Sequence, residues 1–181
     1  MTQGILRDIG QFSEADMILF EKHVTKSSLN KDDLLLKDGE VCRSVFYILS
    51  GAFYQFQTGE PEDRIVDLHL QNEWMSNHTS LINQSPSRTS IKAFAKSEVI
   101  ELSLDRLHEL IATSQAFLQF GRIFDQGNTR VYFFDNSLNP TQKYNYIKEV
   151  KPLISQTFPV KMIASYLKIA PETLSRVRAN Y

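Results

Sequence analysis

The sequence predicts an α+β protein: an N-terminal double-stranded β-helix (a jelly roll), then a long helix and a C-terminal helical unit. Two observations lead to this class. Short strand-like runs separated by turn residues fill the region from about Leu34 to Leu104, and helical patterns occupy the flanking parts. Several short strands at near-regular spacing, with no helical period between them, indicate an antiparallel roll or sandwich.

A capped helix precedes the roll. Ser13 stands before Glu14, Ala15 and Asp16 and an apolar run. A serine at this position closes a free backbone donor of the first helical turn. The strands that follow are separated by turns containing Gly or Pro. They are predicted at Leu34–Leu36, Val45–Leu49, Ala52–Gln57, Ile65–Leu70, Ser90–Ala95 and Val99–Leu104.

After a helix at Asp105–Ala112, a longer helix is predicted from about Gln115 to Phe134. Its apolar positions alternate in spacings of three and four, which is a heptad seam. On pattern alone, the seam is either intramolecular core or a dimer interface. Its positions are Phe117, Phe120, Phe124, Gly127, Val131 and Phe134.

Charge divides the chain near Pro140. Residues 140–181 hold seven basic and two acidic residues, a net charge of +5, which leaves -6 for residues 1–139 of a chain whose total is -1. Such asymmetry is typical of a local polyanion-binding unit, although a solvated basic helix face gives the same pattern. The near-neutral total therefore does not exclude a nucleic-acid partner.

Composition excludes several other classes. The lone Cys42 cannot form an intramolecular disulfide or supply a four-thiolate metal site. No apolar run approaches the ~20 residues of a membrane span, and Met1–Gly10 lacks the apolar segment of a signal peptide. We therefore expect a cytoplasmic protein without a membrane partner.

The last 42 residues contain the most informative pattern. A linker at Asn136–Pro140 leads to three predicted helices, at Thr141–Val150, Val160–Leu167 and Glu172–Ala179. The second and third are joined by a tight turn, with Pro171 suited to a first helical position. Leu174 and Val177 then face inward. The side chains left for solvent or for DNA are Glu172, Thr173, Ser175, Arg176 and Arg178.

With these residues the chain resembles the Crp–Fnr superfamily of bacterial transcription regulators over nearly its whole length. The resemblance rests on Asp38-Gly39-Glu40, Phe46–Gly51, the seam helix, and residues 163–167 with 171–176. It implies a cyclic nucleotide-binding-like β-roll that senses an effector (residues 1–113), a dimerisation helix (114–137) and a winged-helix-like helix-turn-helix that binds DNA (138–181). The implied function is a dimeric, non-enzymatic regulator. Its partners would be double-stranded DNA, a second copy of the chain and, as a further candidate, RNA polymerase.

The resemblance also assigns roles in the helix-turn-helix. Glu172 and Arg176 match residues that read base edges, and Thr173 matches a phosphate contact. Pro171 stands where relatives often have a base-contacting Arg, so the operator cannot be transferred. Lys168 stands where the turn often has Gly, which predicts an unusual backbone there. We add Lys161, Lys168 and Arg178 as candidate phosphate contacts, beside the hydroxyl of Ser175.

The effector site is less regular. Relatives that bind cyclic nucleotides carry Gly-Glu for the ribose and an Arg-hydroxyl pair for the phosphate. Here the corresponding residues are Ser76-Asn77, followed by Arg88, Thr89 and Ser90. One interpretation is a site for a small anionic effector. The other is a degenerate pocket in which Arg88 pairs with a nearby acid. Since the carboxylate is replaced, we expect cyclic AMP to bind weakly or not at all, and we predict no cofactor.

Two rival functions remain open. One is a ligand-binding module, for a small anion resembling a cyclic nucleotide, whose helix-turn-helix is degenerate or contacts proteins. The other is a metal enzyme on a roll of cupin type, which would need clustered histidines. The four histidines, at positions 23, 69, 78 and 108, show no such spacing, and no catalytic or metal site is predicted.

Overall fold

Two four-stranded antiparallel sheets form the β-roll, in a computed structural model that describes residues 2–124 and 138–179. The strands are β1 (Thr25–Leu29), β2 (Leu34–Leu36), β3 (Ser44–Ser50), β4 (Ala52–Gln57), β5 (Arg64–Leu70), β6 (Trp74–Met75), β7 (Ser90–Ala93) and β8 (Ser97–Ser103). The first sheet has the order β1-β8-β3-β6 and the second β2-β7-β4-β5. The six predicted strands are confirmed to within two residues at each end.

The turn between β3 and β4 needs its glycine. Gly51 has φ +87°, in the left-handed region. A Cβ built there would lie 2.7 Å from the carbonyl oxygen of Lys96, in the turn before β8. Gly51 therefore closes the turn and also permits close contact between the two sheets.

The helices of the roll lie before, within and after its strands. They are α1 (Thr2–Arg7), α2 (Glu14–His23), α3 (His78–Asn83), α4 (Leu104–Thr113) and a 3₁₀ helix (Gln115–Phe120). Ser13 caps α2, where its side chain accepts a hydrogen bond from the backbone N–H of Asp16. This hydroxyl in turn donates to the Asp16 carboxylate, which lowers the pKa of Asp16.

The first core lies between the sheets and under the N-terminal helices, and it changes the interpretation of the seam. Phe117 and Phe120 belong to the 3₁₀ helix and are 0% and 1% exposed. Their rings contact Phe12, and that of Phe120 also contacts Phe20. The prediction that these two residues form a dimer interface is therefore wrong, because the chain itself already buries them. The single long helix from Gln115 is wrong for the same stretch.

The rest of the seam is only partly described. Residues 121–124 are helical, and Phe124 is half-buried with its ring 6.4 Å from that of His78. Gly127, Val131 and Phe134, with most of the predicted dimerisation helix, lie outside the described residues.

Four short helices make up the C-terminal unit, residues 138–179. They are α5 (Pro140–Val150), α6 (Ile154–Thr157), α7 (Val160–Leu167) and α8 (Pro171–Ala179). Asn139 caps α5 through a capping box with Gln142. This described part contains no β-strand, so the winged-helix feature has no counterpart within it. Across both described ranges, no helix is long and apolar enough to cross a bilayer.

Candidate nucleic-acid interface

The pair of helices α7 and α8 is joined by a three-residue turn, residues 168–170. Lys168 adopts φ +55° and ψ +47°, as the replacement of Gly predicts. Its N–H donates to the carbonyl of Ser165, and the N–H of Ile169 donates to that of Ala164. These two bonds are a Schellman closure, which satisfies the last carbonyls of α7.

Apolar contacts hold α8 against α7. Ala164, Leu167 and Leu174 are each 0% exposed, and Val177 is 8% exposed. The small side chain of Ala164 lets the second helix approach closely. Pro171 is the first residue of α8, where its missing N–H costs no hydrogen bond. The predicted inward positions of Leu174 and Val177 are confirmed.

The opposite side of α8 faces solvent. Pro171, Glu172, Ser175 and Arg176 are exposed, whereas Thr173 and Arg178 are half-buried. The structure thus brings the predicted base-reading residues onto one free helix face. Lys168 is exposed in the turn beside this face.

The basic charge of the unit is only partly available. Lys151 is 1% exposed and pairs with Glu73 of the roll. Lys143 donates to the carbonyl of Leu167, at the end of α7. Lys161 is exposed, but its Nζ lies 2.5 Å from the Glu62 carboxylate. The net +5 therefore overstates the surface charge of the unit. The burial of Lys151 was not predicted, because the residue type alone does not distinguish a buried lysine from an exposed one.

The residues proposed for effector binding fall into separate places. Asn77 is buried and donates to Ser87 Oγ at 2.6 Å and to Thr89 Oγ1 at 2.8 Å. Gln55 Nε2 donates to Thr89 Oγ1 at 2.7 Å. Ser90 Oγ accepts from the N–H of Asp38. The first three of these bonds join four uncharged side chains into a polar network. We call it the cassette network (Gln55, Asn77, Ser87 and Thr89).

The other three candidates, Ser76, Arg88 and Ser90, lie outside the cassette network. Arg88 is exposed, and Ser76 lines a cavity of about 370 Å³. Sequence reasoning missed Gln55 and Ser87, whose uncharged side chains carry no motif. The cavity lies at the junction of the N-terminal segment, the roll and the C-terminal unit. Its walls include Asp67, His69, Glu73, Trp74, Arg122 and Val150.

The described ranges contain neither a cluster of metal ligands nor an activated thiol. No group of three or more His, Cys, Asp or Glu residues could hold a metal ion there. Burial raises the pKa of the Cys42 thiol, which donates to the carbonyl of Ser44. A buried thiol with a raised pKa is a poor nucleophile.

Comparison with known proteins shows what the roll is similar to. Residues 26–114 match the family model of the cyclic nucleotide-binding domain. This part of the chain therefore resembles a cyclic nucleotide-binding domain, and the solved structures of similar fold include regulators of Crp–Fnr type. No curated protein matches the sequence.

Three solved structures illustrate the shared fold. FixK2 from Bradyrhizobium japonicum is 15% identical with a TM-score of 0.68, over 87% of this chain and 83% of that one. A CooA variant from Carboxydothermus hydrogenoformans is 12% identical with a TM-score of 0.64, over 99% and 83%. The regulator CLP of Xanthomonas campestris, described as responsive to c-di-GMP, is 12% identical with a TM-score of 0.60, over 93% and 91%. The recognition made from the sequence motifs is confirmed at the level of the fold.

Proposed function

We propose that this chain is a DNA-binding transcription regulator of the Crp–Fnr type, in which α7 and α8 form the helix-turn-helix. The observation that carries the proposal is the exposed face of α8. Arg176 and Glu172 project from a helix whose opposite side is fixed by Leu174 and Val177. Arginine bonds guanine edges bidentately, and a glutamate accepts from cytosine, so this face suits the major groove.

Phosphate contacts would surround the exposed face of α8 that carries Glu172 and Arg176, which we call the reading face. Lys168, Arg178 and the hydroxyls of Thr173 and Ser175 lie on or beside it. Lys161 would have to exchange its Glu62 partner for a phosphate, and both side chains are exposed enough to allow that. Such contacts fix the position of the protein on DNA without reading sequence.

Dimerisation completes the proposal. Two copies of α8 related by a two-fold axis would meet successive major grooves roughly 34 Å apart. Because Phe117 and Phe120 are core residues, we place the dimer contact beyond them, from Phe124 onward, in the predicted residues Gly127, Val131 and Phe134. The same proposal includes RNA polymerase as a candidate partner and a cytoplasmic location.

Replacing Arg176 by Ala tests the reading role. DNA fragments bound by the wild-type protein are first selected from a genomic library, and affinities are then measured by fluorescence anisotropy. Arg176→Ala should lower affinity for the selected fragment by ~1–3 kcal/mol and relax discrimination at one base pair. Lys161→Ala should weaken selected and random DNA alike. Lys96→Ala, at an exposed turn of the roll, removes the same charge outside the helix-turn-helix and serves as control.

Two results would contradict the proposal. If no fragment is enriched, the alternative of a ligand-binding module with a protein-directed helix-turn-helix is favoured. If Arg176→Ala and Lys96→Ala act alike on both DNAs, Arg176 is not a base reader. Metal analysis of the purified protein addresses the enzyme alternative directly.

We further propose that cyclic AMP is not the effector. The position of the ribose-binding carboxylate is held by Asn77, whose amide is engaged by Ser87 and Thr89. The exposed Arg88 lies outside this network, which leaves it without a positive charge for a phosphate. Titration calorimetry should show no cyclic AMP binding at micromolar concentration, and a micromolar or tighter affinity would overturn this proposal.

A further inference from the structure

The C-terminal unit packs against the face of β5 that carries Leu68 and Leu70, and we call this face the platform. Side chains alternate between the two faces of β5. Asp67 and His69 share one face with their β4 partners Gln55 and Phe53, whereas Leu68 and Leu70 lie on the opposite face. Those apolar side chains share one buried cluster with the helices of the C-terminal unit. Its members include Phe56, Ile65, Leu68, Leu70, Ile147, Ile154, Phe158, Ile163, Ala164, Leu167 and Leu174.

Two polar side chains, Lys151 and Ser165, make hydrogen bonds between the unit and the roll. Lys151 Nζ donates to the backbone carbonyl of Leu68 and to Glu73 Oε2, each at 2.5 Å. Ser165 Oγ accepts from the N–H of Ile65 at 3.0 Å, on a strand at the edge of its sheet. The Lys151 side chain is 0% exposed, and these oxygens are the hydrogen-bond partners of its buried ammonium.

The platform contacts leave the reading face free. α7 carries the contacts to β5, through Ile163, Ala164 and Ser165, whereas Glu172, Ser175 and Arg176 of α8 remain exposed. DNA can therefore reach α8 without detaching the unit from the roll. Detachment would expose the apolar side chains of β4 and β5 and those of the C-terminal unit that cover them, and it would leave the Lys151 ammonium without its partners.

We propose that the C-terminal unit binds DNA while docked on β5, and that Lys151 is a positioning residue for the recognition helix. Any effector would then act on the arrangement of whole protomers and not by releasing the unit from the roll. This inference rests on the DNA-binding function proposed above. Lys151 acts through the backbone of β5 and the Glu73 carboxylate, without touching DNA.

A reversible disulfide tests the docked state. The Ser165 Oγ to Ile65 N distance of 3.0 Å limits the separation of the two Cα atoms to about 7 Å, near the upper limit for a disulfide. In the double variant Ile65→Cys/Ser165→Cys, the native Cys42 is buried and does not compete. The oxidised protein should bind the selected DNA fragment within about threefold of the reduced protein. A loss of about tenfold or more on oxidation, recovered on reduction, would overturn the inference.

Lys151→Met supplies an independent test. The change removes the charge but keeps most of the side chain's volume, and circular dichroism checks that the variant is folded. It should lower affinity for selected and random DNA alike, by about tenfold, because docked protomers become fewer. Adding the oxidised 65–165 disulfide should restore the affinity. An affinity unchanged or raised in Lys151→Met would contradict the inference.

Wild-type protein is run in the same titrations. If it shows no salt-dependent DNA binding, the proposed function itself fails. If the wild type binds but the locked protein does not, only the docking inference fails.

Discussion

A non-glycine residue in the left-handed region closes α7. Lys168 has φ +55°, and its Cβ is crowded there in a way that glycine avoids. Its backbone N–H and that of Ile169 nevertheless close the helix. The cost is offset by these bonds and by the burial of Leu167 and Leu174 on either side of the turn.

Replacing Lys168 by Gly should therefore stabilise the protein. We expect the free energy of unfolding to rise by about 1 kcal/mol, since the left-handed conformation penalises a side chain by roughly that amount. Urea denaturation measures the change. Lys168→Ala keeps the Cβ and loses the charge, so it should give no gain. An equal gain in both variants would show that the charge, and not the backbone, is responsible.

Single residues were predictable where a motif fixes their neighbours. Ala164, Pro171, Leu174 and Val177 take the expected positions because two crossing helices impose one small and several apolar residues. The cassette network was not predictable in the same way. Which of several Ser and Thr hydroxyls contacts Asn77 depends on strand register. Ser87 makes this contact, whereas the neighbouring Arg88 is exposed to solvent.

At the scale of elements, alternation predicted strands well and heptad spacing misled. Strand β1 was missed because Thr25–Leu29 is polar and almost entirely exposed, so it shows no buried face. The spacing of Phe117, Phe120 and Phe124 suits a seam, but a 3₁₀ helix directs the first two into the roll. Apolar periodicity shows that a face is buried without showing which partner covers it.

The apolar face of β5 gives a prediction with an internal control. Leu68 is 0% exposed in the cluster shared with the C-terminal unit, whereas Val66 on the same strand is 42% exposed. Leu68→Ala should lower the free energy of unfolding by about 2–5 kcal/mol, because it leaves a cavity. Val66→Ala should change it by at most ~0.5 kcal/mol. Urea denaturation compares the two, and similar losses would show that the unit does not cover this face.

For the whole molecule, the shared cluster joins the roll to the C-terminal unit. Residues from β4 and β5 and from α5 to α8 contribute to it, and the buried pair Lys151–Glu73 spans the same junction. The sequence suggested two parts of opposite charge, and the structure shows that some of this charge is used to join them. Lys151 and Lys161 both meet carboxylates of the acidic part.

Such a junction predicts that the two parts unfold together. Trp74, the single tryptophan, lies in the roll against Tyr47 and Phe120, so its fluorescence reports on that part. Far-UV circular dichroism has a large contribution from the helices of the C-terminal unit. The two signals should give one coincident urea transition. Two separated transitions would show that the unit folds independently of β5.

The most direct test of the account is an anisotropy titration of wild-type protein with a selected genomic fragment and a scrambled copy, at several salt concentrations. We predict that the affinity for both falls steeply with salt, since phosphate contacts release counterions. The selected fragment should bind about a thousandfold more tightly, or better, at every salt concentration. Binding that is weak, insensitive to salt and equal for the two DNAs would contradict the claim that this chain reads DNA.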